Sequence, residues 1–162
     1  MTWDIVRLNE SHERSEFACG VPSLEEFLRQ YVTQYEKRNL GRTYVLVRDG
    51  EPRVFGYYTL AGGQISKADL PKKQAKKLPN HPIPVVLLAR LAVDLSVRGQ
   101  KLGRDLLANA VARAAESAEQ IGMYAVVVDA IDESAAAFYR KHAFTALVDQ
   151  PLRLFFPISA VP

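Results

Sequence analysis

Val85-Val86-Leu87-Leu88-Ala89-Arg90-Leu91-Ala92-Val93, followed closely by Arg98-Gly99-Gln100-Lys101-Leu102-Gly103-Arg104, is the stretch on which the reading of this chain turns. Pro84 introduces the first run, which is apolar except for Arg90. Such a run suits a strand covered on both faces. The turn over 94–103 leads into a helix predicted for 104–120, with Leu107, Val111, Ala114, Ala118 and Ile121 on its buried side. Gly122 ends that helix, and residues 124–129 read as a second buried strand. Strand, helix and strand in this order make the nucleus of an α/β fold.

Working outward, residues 4–8 read as an edge strand. Ser23 and Glu26 have the spacing of a capping box, and Leu24, Phe27, Leu28, Tyr31, Val32 and Tyr35 follow at helical spacing. That helix is expected to stop near Gly41. Two strands, 43–48 and 54–61, flank the turn signal Asp49-Gly50. Ser66 opens a short lysine-rich helix bounded by Pro79 and Pro82. Beyond the central unit, 134–142 reads as a helix, and 145–148 with 152–156 as an antiparallel pair. The expectation is a single α/β domain over 1–162, a mixed central sheet flanked by helices on both faces.

The 162 residues are 48% hydrophobic and 24% charged, an ordinary globular balance. With one cysteine, Cys19, no disulfide within the chain is possible, which points to a reducing compartment. Asp4, Arg7 and Glu10 interrupt the first ten residues, so no signal peptide is predicted, and no stretch approaches the ~20 apolar residues of a membrane helix. A cytoplasmic protein without a membrane partner is expected. The net charge of +3 is mild, but Lys67, Lys72, Lys73, Lys76 and Lys77 crowd together against Asp69 alone. Two readings stay open for them: a solvated face, or a docking patch for a polyanion such as RNA.

Residues 98–104 form a small-residue turn opening a helix, where backbone N–H groups and the positive end of the helix dipole meet. Such a place binds phosphate. Gly99 and Gly103 permit close approach of an anion, and Arg98, Lys101 and Arg104 add charge. An ordinary glycine- and lysine-containing loop has the same spacing, so the turn alone leaves both readings open. His12, His81 and His142 have no metal spacing, and no metal is expected. Cys19 has no histidine near it in sequence and reads as packed; Tyr57 and Tyr58 read as sheet residues.

Arg98-Gly99-Gln100-Lys101-Leu102-Gly103 resembles the coenzyme A loop of the GNAT acetyltransferases, (Arg/Gln)-x-x-Gly-x-(Gly/Ala), with Lys101 in place of the central glycine. Residues 88–94 resemble that family's central strand. Phe138-Tyr139-Arg140-Lys141-His142-Ala143-Phe144 resembles its later motif Leu/Phe-Tyr-x-x-x-Gly-Phe, with Ala143 for glycine, and Asp132 stands where many members have Asn. The resemblance covers essentially the whole chain. It implies a GNAT-like fold, acetyl-CoA as acetyl donor, and a donor site of Leu91, Ala92, Val93, Arg98, Gly99, Gln100, Lys101, Leu102, Gly103, Arg104, Asp132 and Phe138. It also implies Tyr139 as the catalytic general acid. A phenol with an ordinary pKa of about 10 keeps its proton at neutral pH and can give it to a thiolate.

Residues 17–24 with Glu26-Phe27-Leu28, Gly56-Tyr57-Tyr58-Thr59-Leu60 and His81-Pro82-Ile83-Pro84 are similar to one GNAT subgroup, the acetyltransferase toxins of type II toxin–antitoxin systems. That likeness implies acetylation of the α-amine of aminoacyl-tRNA, a homodimer and a DNA-binding antitoxin partner, with Lys72, Lys73, Lys76 and Lys77 as tRNA contacts. Two other readings remain at this point: an ordinary GNAT enzyme acting on a small amine or a protein N-terminus, and a non-catalytic acyl-CoA-binding module. No general base is evident; Asp94 and Asp129, at strand ends, are the carboxylates available to assist.

Overall fold

The computed structural model describes residues 2–162. Its strands are β1 (Trp3–Arg7), β2 (Arg42–Arg48), β3 (Gly56–Ile65), β4 (Ile83–Val93), β5 (Ala125–Asp129), β6 (Thr145–Leu147) and β7 (Gln150–Pro157). They form one seven-stranded mixed sheet in the order β1-β2-β3-β4-β5-β7-β6. The helices are α1 (Pro22–Glu26), α2 (Val32–Lys37), α3 (Lys72–Ala75), α4 (Leu102–Ala118) and α5 (Glu133–Lys141). The strands β3 and β4 and the helix α4 each contribute residues to two compact units, 2–61 with 89–110, and 62–88 with 111–162.

In the first unit β1, β2 and β3 are antiparallel, with Ile5 opposite Leu46 and Tyr44 opposite Tyr58. Alternation along the strands sorts the side chains onto two faces. Val45, Val47 and Tyr57 meet Phe27, Leu28 and Val32 on one face. On the other, Gly56 lies so close to α4 that an added Cβ would stand 3.0 Å from Leu106 and 3.0 Å from the Ala92 carbonyl oxygen. The helical run over 22–37 is not capped by Ser23, as the Ser23/Glu26 spacing had implied. Its N-cap is Val21, with Pro22 opening α1. No side chain caps it; Glu25 turns back instead to the loop before the helix, its Oε2 accepting the N–H groups of Cys19 and Gly20, both at 2.9 Å. A π-helical turn, Phe27–Tyr31, separates α1 from α2 and sets Phe27 and Leu28 inward. Phe27 then receives Arg90, whose guanidinium lies 3.6 Å from the ring centroid. A cation–π contact thus explains the one charged residue in the apolar run of β4.

At the end of β4, Asp94 is almost fully buried, at 3% exposure. Its Oδ2 accepts the N–H of Ala18 at 2.9 Å; its Oδ1 accepts the N–H of Ser96 at 2.9 Å and the Ser96 hydroxyl at 2.7 Å. Arg53 approaches to 4.0 Å. Burial pushes this carboxyl up, but the Ala18 and Ser96 bonds and Arg53 together outweigh it and hold the pKa below the usual aspartate value.

In the second unit β4 and β5 run parallel, Val85 opposite Ala125 through Leu88 opposite Val128. The strand β7 is antiparallel to β5, and β6 to β7. Ile65, Leu70, Ile83, Val85, Val127 and Phe155 form a core on one face. Helix α5 lies against β7, with Phe144 stacked on Phe156 at 5.5 Å. The expected reach of two helices is corrected. Ser66 does not open α3; it begins a separate 3-10 turn, Lys67–Asp69, in which Asp69 accepts the Ser66 N–H at 2.8 Å, and Pro71 precedes α3. Ile121 lies past the end of α4 and is 65% exposed rather than buried.

Helix α5 ends in a Schellman motif. The Phe144 N–H reaches the Tyr139 carbonyl (3.1 Å) and the Ala143 N–H the Arg140 carbonyl (3.1 Å). Ala143 is therefore left-handed, at φ 73°, which costs a residue bearing a Cβ about 1–2 kcal/mol. Ala143→Gly is expected to raise stability by about 0.5–1 kcal/mol, since glycine's greater unfolded freedom takes back part of that gain. A melting curve that does not move upward would refute the cap assignment. For Asp94 the folded pKa is depressed, so its contribution is complete above the unfolded value of about 3.9 and lost as pH falls through the lower folded value. Asp94→Asn should cost about 1–3 kcal/mol at pH 7 and flatten the acid limb of the stability profile. Denaturation midpoints at pH 7 and pH 3 measure both; equal losses at the two pH values would contradict it.

Candidate active site

The turn between β4 and α4 is shaped by two left-handed residues, Gly99 at φ 84° and Lys101 at φ 61°. Lys101 keeps the conformation that its glycine-like position requires and presents an exposed side chain from it. The first helical bond of α4 runs from the Asp105 N–H to the Lys101 carbonyl at 3.3 Å. The N–H groups of Leu102, Gly103 and Arg104 therefore precede the first helical partner and belong to the positive end of the helix. Arg98, Lys101 and Arg104 are exposed around this turn, with Gly99 and Gln100. Two of the cations have other work: Arg98 donates from Nη2 to the Cys19 carbonyl at 3.0 Å, and Arg104 pairs with Asp105 at 3.3 Å. Leu91 and Val93 are half-buried on β4 and Ala92 is buried between them. β4 runs on five residues past Leu88, to Val93, whereas β5 stops one residue past Val128, at Asp129.

In the second unit Tyr139 is buried at 6% exposure on the inner side of α5. Phe138 lies 5.2 Å from it and Phe144 5.7 Å, ring to ring. Burial pushes its phenol pKa well above the ordinary value, so it is protonated throughout the neutral range. Phe138 also approaches His142 at 4.7 Å. Asp132 is the N-cap of α5, its Oδ1 accepting the Ala135 N–H at 2.8 Å. Lys72, Lys73, Lys76 and Lys77 are all exposed, on α3 and the turn that follows it.

Other residues singled out from the sequence find structural work. Cys19 is buried, its thiol pKa raised chiefly by desolvation, with Sγ 3.7 Å from the Val21 carbonyl. Tyr57 donates to the Leu24 carbonyl and Tyr58 to Asn109, each at 2.6 Å. His142 meets the Phe138 carbonyl through Nδ1 at 2.9 Å. Asp94 is occupied by backbone donors, which removes it as an assisting base. Asp129 pairs with Arg153 at 3.1 Å. No cluster among the described residues has three acidic, histidine or cysteine groups placed to hold a metal ion. No helix among them is long and apolar enough to cross a membrane. The sequence reading missed that 17–20 is bonded to the turn after β4; Asp94-x-Ser96, an Asx-turn spacing, was the available signal.

Residues 39–146 match the family described as Acetyltransferase (GNAT) domain. The chain is 37% identical to the tRNA-acetylating toxin of Mycobacterium tuberculosis (strain ATCC 25618 / H37Rv) over 148 residues, 91% of this chain and 87% of that one. Among solved structures it resembles AtaT complexed with acetyl-methionyl-tRNAfMet, with a TM-score of 0.92 and 33% identity over 99% of this chain and 97% of that one. It also resembles a mutant AtaT toxin bound to the C-terminus of the antitoxin AtaR and acetyl-CoA, with a TM-score of 0.83 and 29% identity over 98% and 95% of the two chains. A domain match over most of its length and a relative this similar from end to end make the chain a member of the GNAT acetyltransferase family.

Proposed function

We propose that this acetyltransferase moves the acetyl group of acetyl-CoA to the α-amine of an aminoacyl-tRNA and so acts as a translation-blocking toxin. The observation that carries the reading is the 37% identity, along nearly all of the chain, to a protein named for that activity. The local chemistry supports it. The turn over 98–104 offers helix N-terminal amides, two left-handed residues and exposed cations, a donor set that fits a pyrophosphate. Gly99, Gln100, Lys101, Leu102, Gly103 and Arg104 would hold it by backbone and charge, with Arg98 both anchoring the loop to Cys19 and lending its charge. Asp132 and Phe138 are further residues we propose as donor contacts.

Acetyl-CoA supplies an acyl group activated as a thioester. The Asp94 N–H is given to the Phe55 carbonyl on the β3 side, so by alternation the N–H groups of Leu91 and Val93 face the other edge of β4, where they would polarise the carbonyl, with Ala92 between them in the wall of the site. Tyr139 holds its proton on Oη and gives it to the departing thiolate; the raised pKa keeps that proton in place at neutral pH. The acceptor amine sheds its proton to solvent, because the α-amine of an aminoacyl ester is less basic than a lysine. We further propose a single working domain, a cytoplasmic homodimer, and a DNA-binding antitoxin as protein partner. For the last, support comes from the structural relative bound to the antitoxin AtaR.

Labelled acetyl-CoA incubated with a pool of charged tRNAs is expected to label the aminoacyl end. Labelling of free amines or peptides instead would replace this reading with an ordinary GNAT activity. In the same assay Tyr139→Phe should keep the fold and the affinity for acetyl-CoA while lowering kcat by about 10²–10⁴-fold, the usual share of a general acid. Full activity in that variant would make Tyr139 a packing residue.

Replacing Lys72, Lys73, Lys76 and Lys77 together by glutamate should weaken the acetylation of tRNA. It should also flatten the salt dependence of KM by roughly 0.7 in log–log slope for each phosphate that the lysines had neutralised. Acetyl-CoA affinity should not change. A variant that acetylates charged tRNA like the parent would reduce the four lysines to a solvated face.

A further inference from the structure

A cleft of about 550 Å³ opens in the second unit, well inside the roughly 300–1,000 Å³ of ligand sites. Gln64, Ser66, Lys67, Asn80, His81 and Arg153 line it. We propose that this cleft is the subsite for the unpaired 3′-terminal nucleotides of the acceptor tRNA, a proposal that rests on the aminoacyl-tRNA reading above. Four observations carry it.

The first is chemical. The lining alternates cations with amide, hydroxyl and imidazole groups, the set that single-stranded RNA demands for its phosphates, 2′-hydroxyls and splayed base edges. Asp69, the acidic residue at the cleft, is already spent. Its Oδ2 takes the Ser66 N–H at 2.8 Å and its Oδ1 the Gln150 amide at 3.1 Å. The fixed carboxylate therefore shapes the wall and does not compete for the cations.

The second is a cation fixed at the wall. The Nε of Arg153 is buried beside Asp129 Oδ1, 3.1 Å away, while 30% of the side chain stays exposed. One carboxylate on Nε holds the guanidinium in place, and its five-donor fork can still take an acceptor from outside.

Position in the sequence supplies the third. The cleft is bounded on one side by Lys67 and on the other by Asn80 and His81, and the chain between them carries Lys72, Lys73, Lys76 and Lys77, all exposed. One continuous segment thus offers a cationic surface for paired phosphates and a polar cleft where pairing ends.

The fourth is the face on which the cleft lies. Along β7, Leu154 and Phe156 alternate with Arg153 and Phe155. Phe156 stacks on Phe144, which contacts Tyr139 on α5. Phe155 belongs to the core with Ile65, Leu70 and Ile83. Arg153 therefore projects on the face away from α5, so a nucleotide held there does not occupy the face of the proton-donating helix.

The test compares binding of intact tRNA with that of tRNA lacking its unpaired 3′ nucleotides, using the full chain, Lys67→Gln, Arg153→Gln and Asn80→Ala. The exposed Asn80 guards against a variant that fails to fold. The parent should bind intact tRNA about tenfold more tightly than truncated tRNA, the worth of one charge-assisted contact. Each variant should lose that preference and bind both forms at the truncated level. A parent that acetylates charged tRNA but binds both forms equally, or variants that keep the parent's preference, would overturn the subsite and leave the proposed function standing. A parent that neither binds nor acetylates tRNA would overturn both.

Discussion

Everything proposed for the donor end of this enzyme depends on one buried carboxylate. Asp94 closes β4 by collecting two backbone N–H groups and a hydroxyl, one of the N–H groups coming from Ala18, seventy-six residues earlier. The Leu95 N–H returns the contact to the Ala18 carbonyl at 2.8 Å, and Arg98 adds its own bond to Cys19. The loop before α1 and the turn before α4 are thus laced by hydrogen bonds at both backbone and side-chain level. A phosphate turn works only if its amides stay aimed while an anion comes and goes. Here the aim is set by a short polar network, since the turn itself is glycine-containing and exposed.

That network bears on why Lys101 is tolerated where glycine would be easier. A left-handed residue with a Cβ persists when its surroundings over-determine it. Lys101 sits between Arg98, fixed to Cys19, and the first turn of α4, and it carries an exposed ammonium in return for the strain. Ala143 is the same substitution with a different outcome. It too is left-handed, but its methyl adds no charge, and the Schellman bonds from Ala143 and Phe144 hold it there. Those bonds fix the last turn of α5, where Tyr139 is placed. At both sites the backbone shape is kept and the residue chosen for it differs.

The elements with strong local signals were legible in the sequence. The apolar run before the turn is β4, the helix after Gly103 is α4, and the closing pair is β6 with β7, each within a few residues of its expected limits. Readings failed where a competing partner came from elsewhere in the chain. Ser23 and Glu26 have capping-box spacing, yet Pro22 already starts the helix and Glu25 turns back to Cys19 and Gly20. Ser66 looked like the start of the lysine helix, but Asp69 closes a separate turn and Pro71 interrupts. Arg90 in an apolar strand was unreadable because its partner, Phe27, is sixty-three residues away and brought inward by a π-helical turn. The residues proposed for the donor site were named from the family resemblance; the second use of Arg98, the capping role of Asp132 and the polar cleft around Lys67 and Arg153 needed the fold.

The proposed nucleotide cleft and the proposed proton donor Tyr139 together suggest a way for one sheet to serve a large acceptor. In the second unit the strands carry Phe144 and Tyr139 on one face and the 3-10 turn and α3 on the other. A polyanion as large as tRNA needs an open, cationic approach, and α3 is too short, at four residues, to cover the strands beside it. The prolines at 71, 79, 82 and 84 keep this segment from extending into a longer helix. What they leave is a lysine-bearing rim over a polar cleft, while the apolar residues Leu70, Ala75 and Leu78 tie it to the core. The segment that looks least regular in the sequence is therefore the one in which charge, cleft and anchoring side chains are combined.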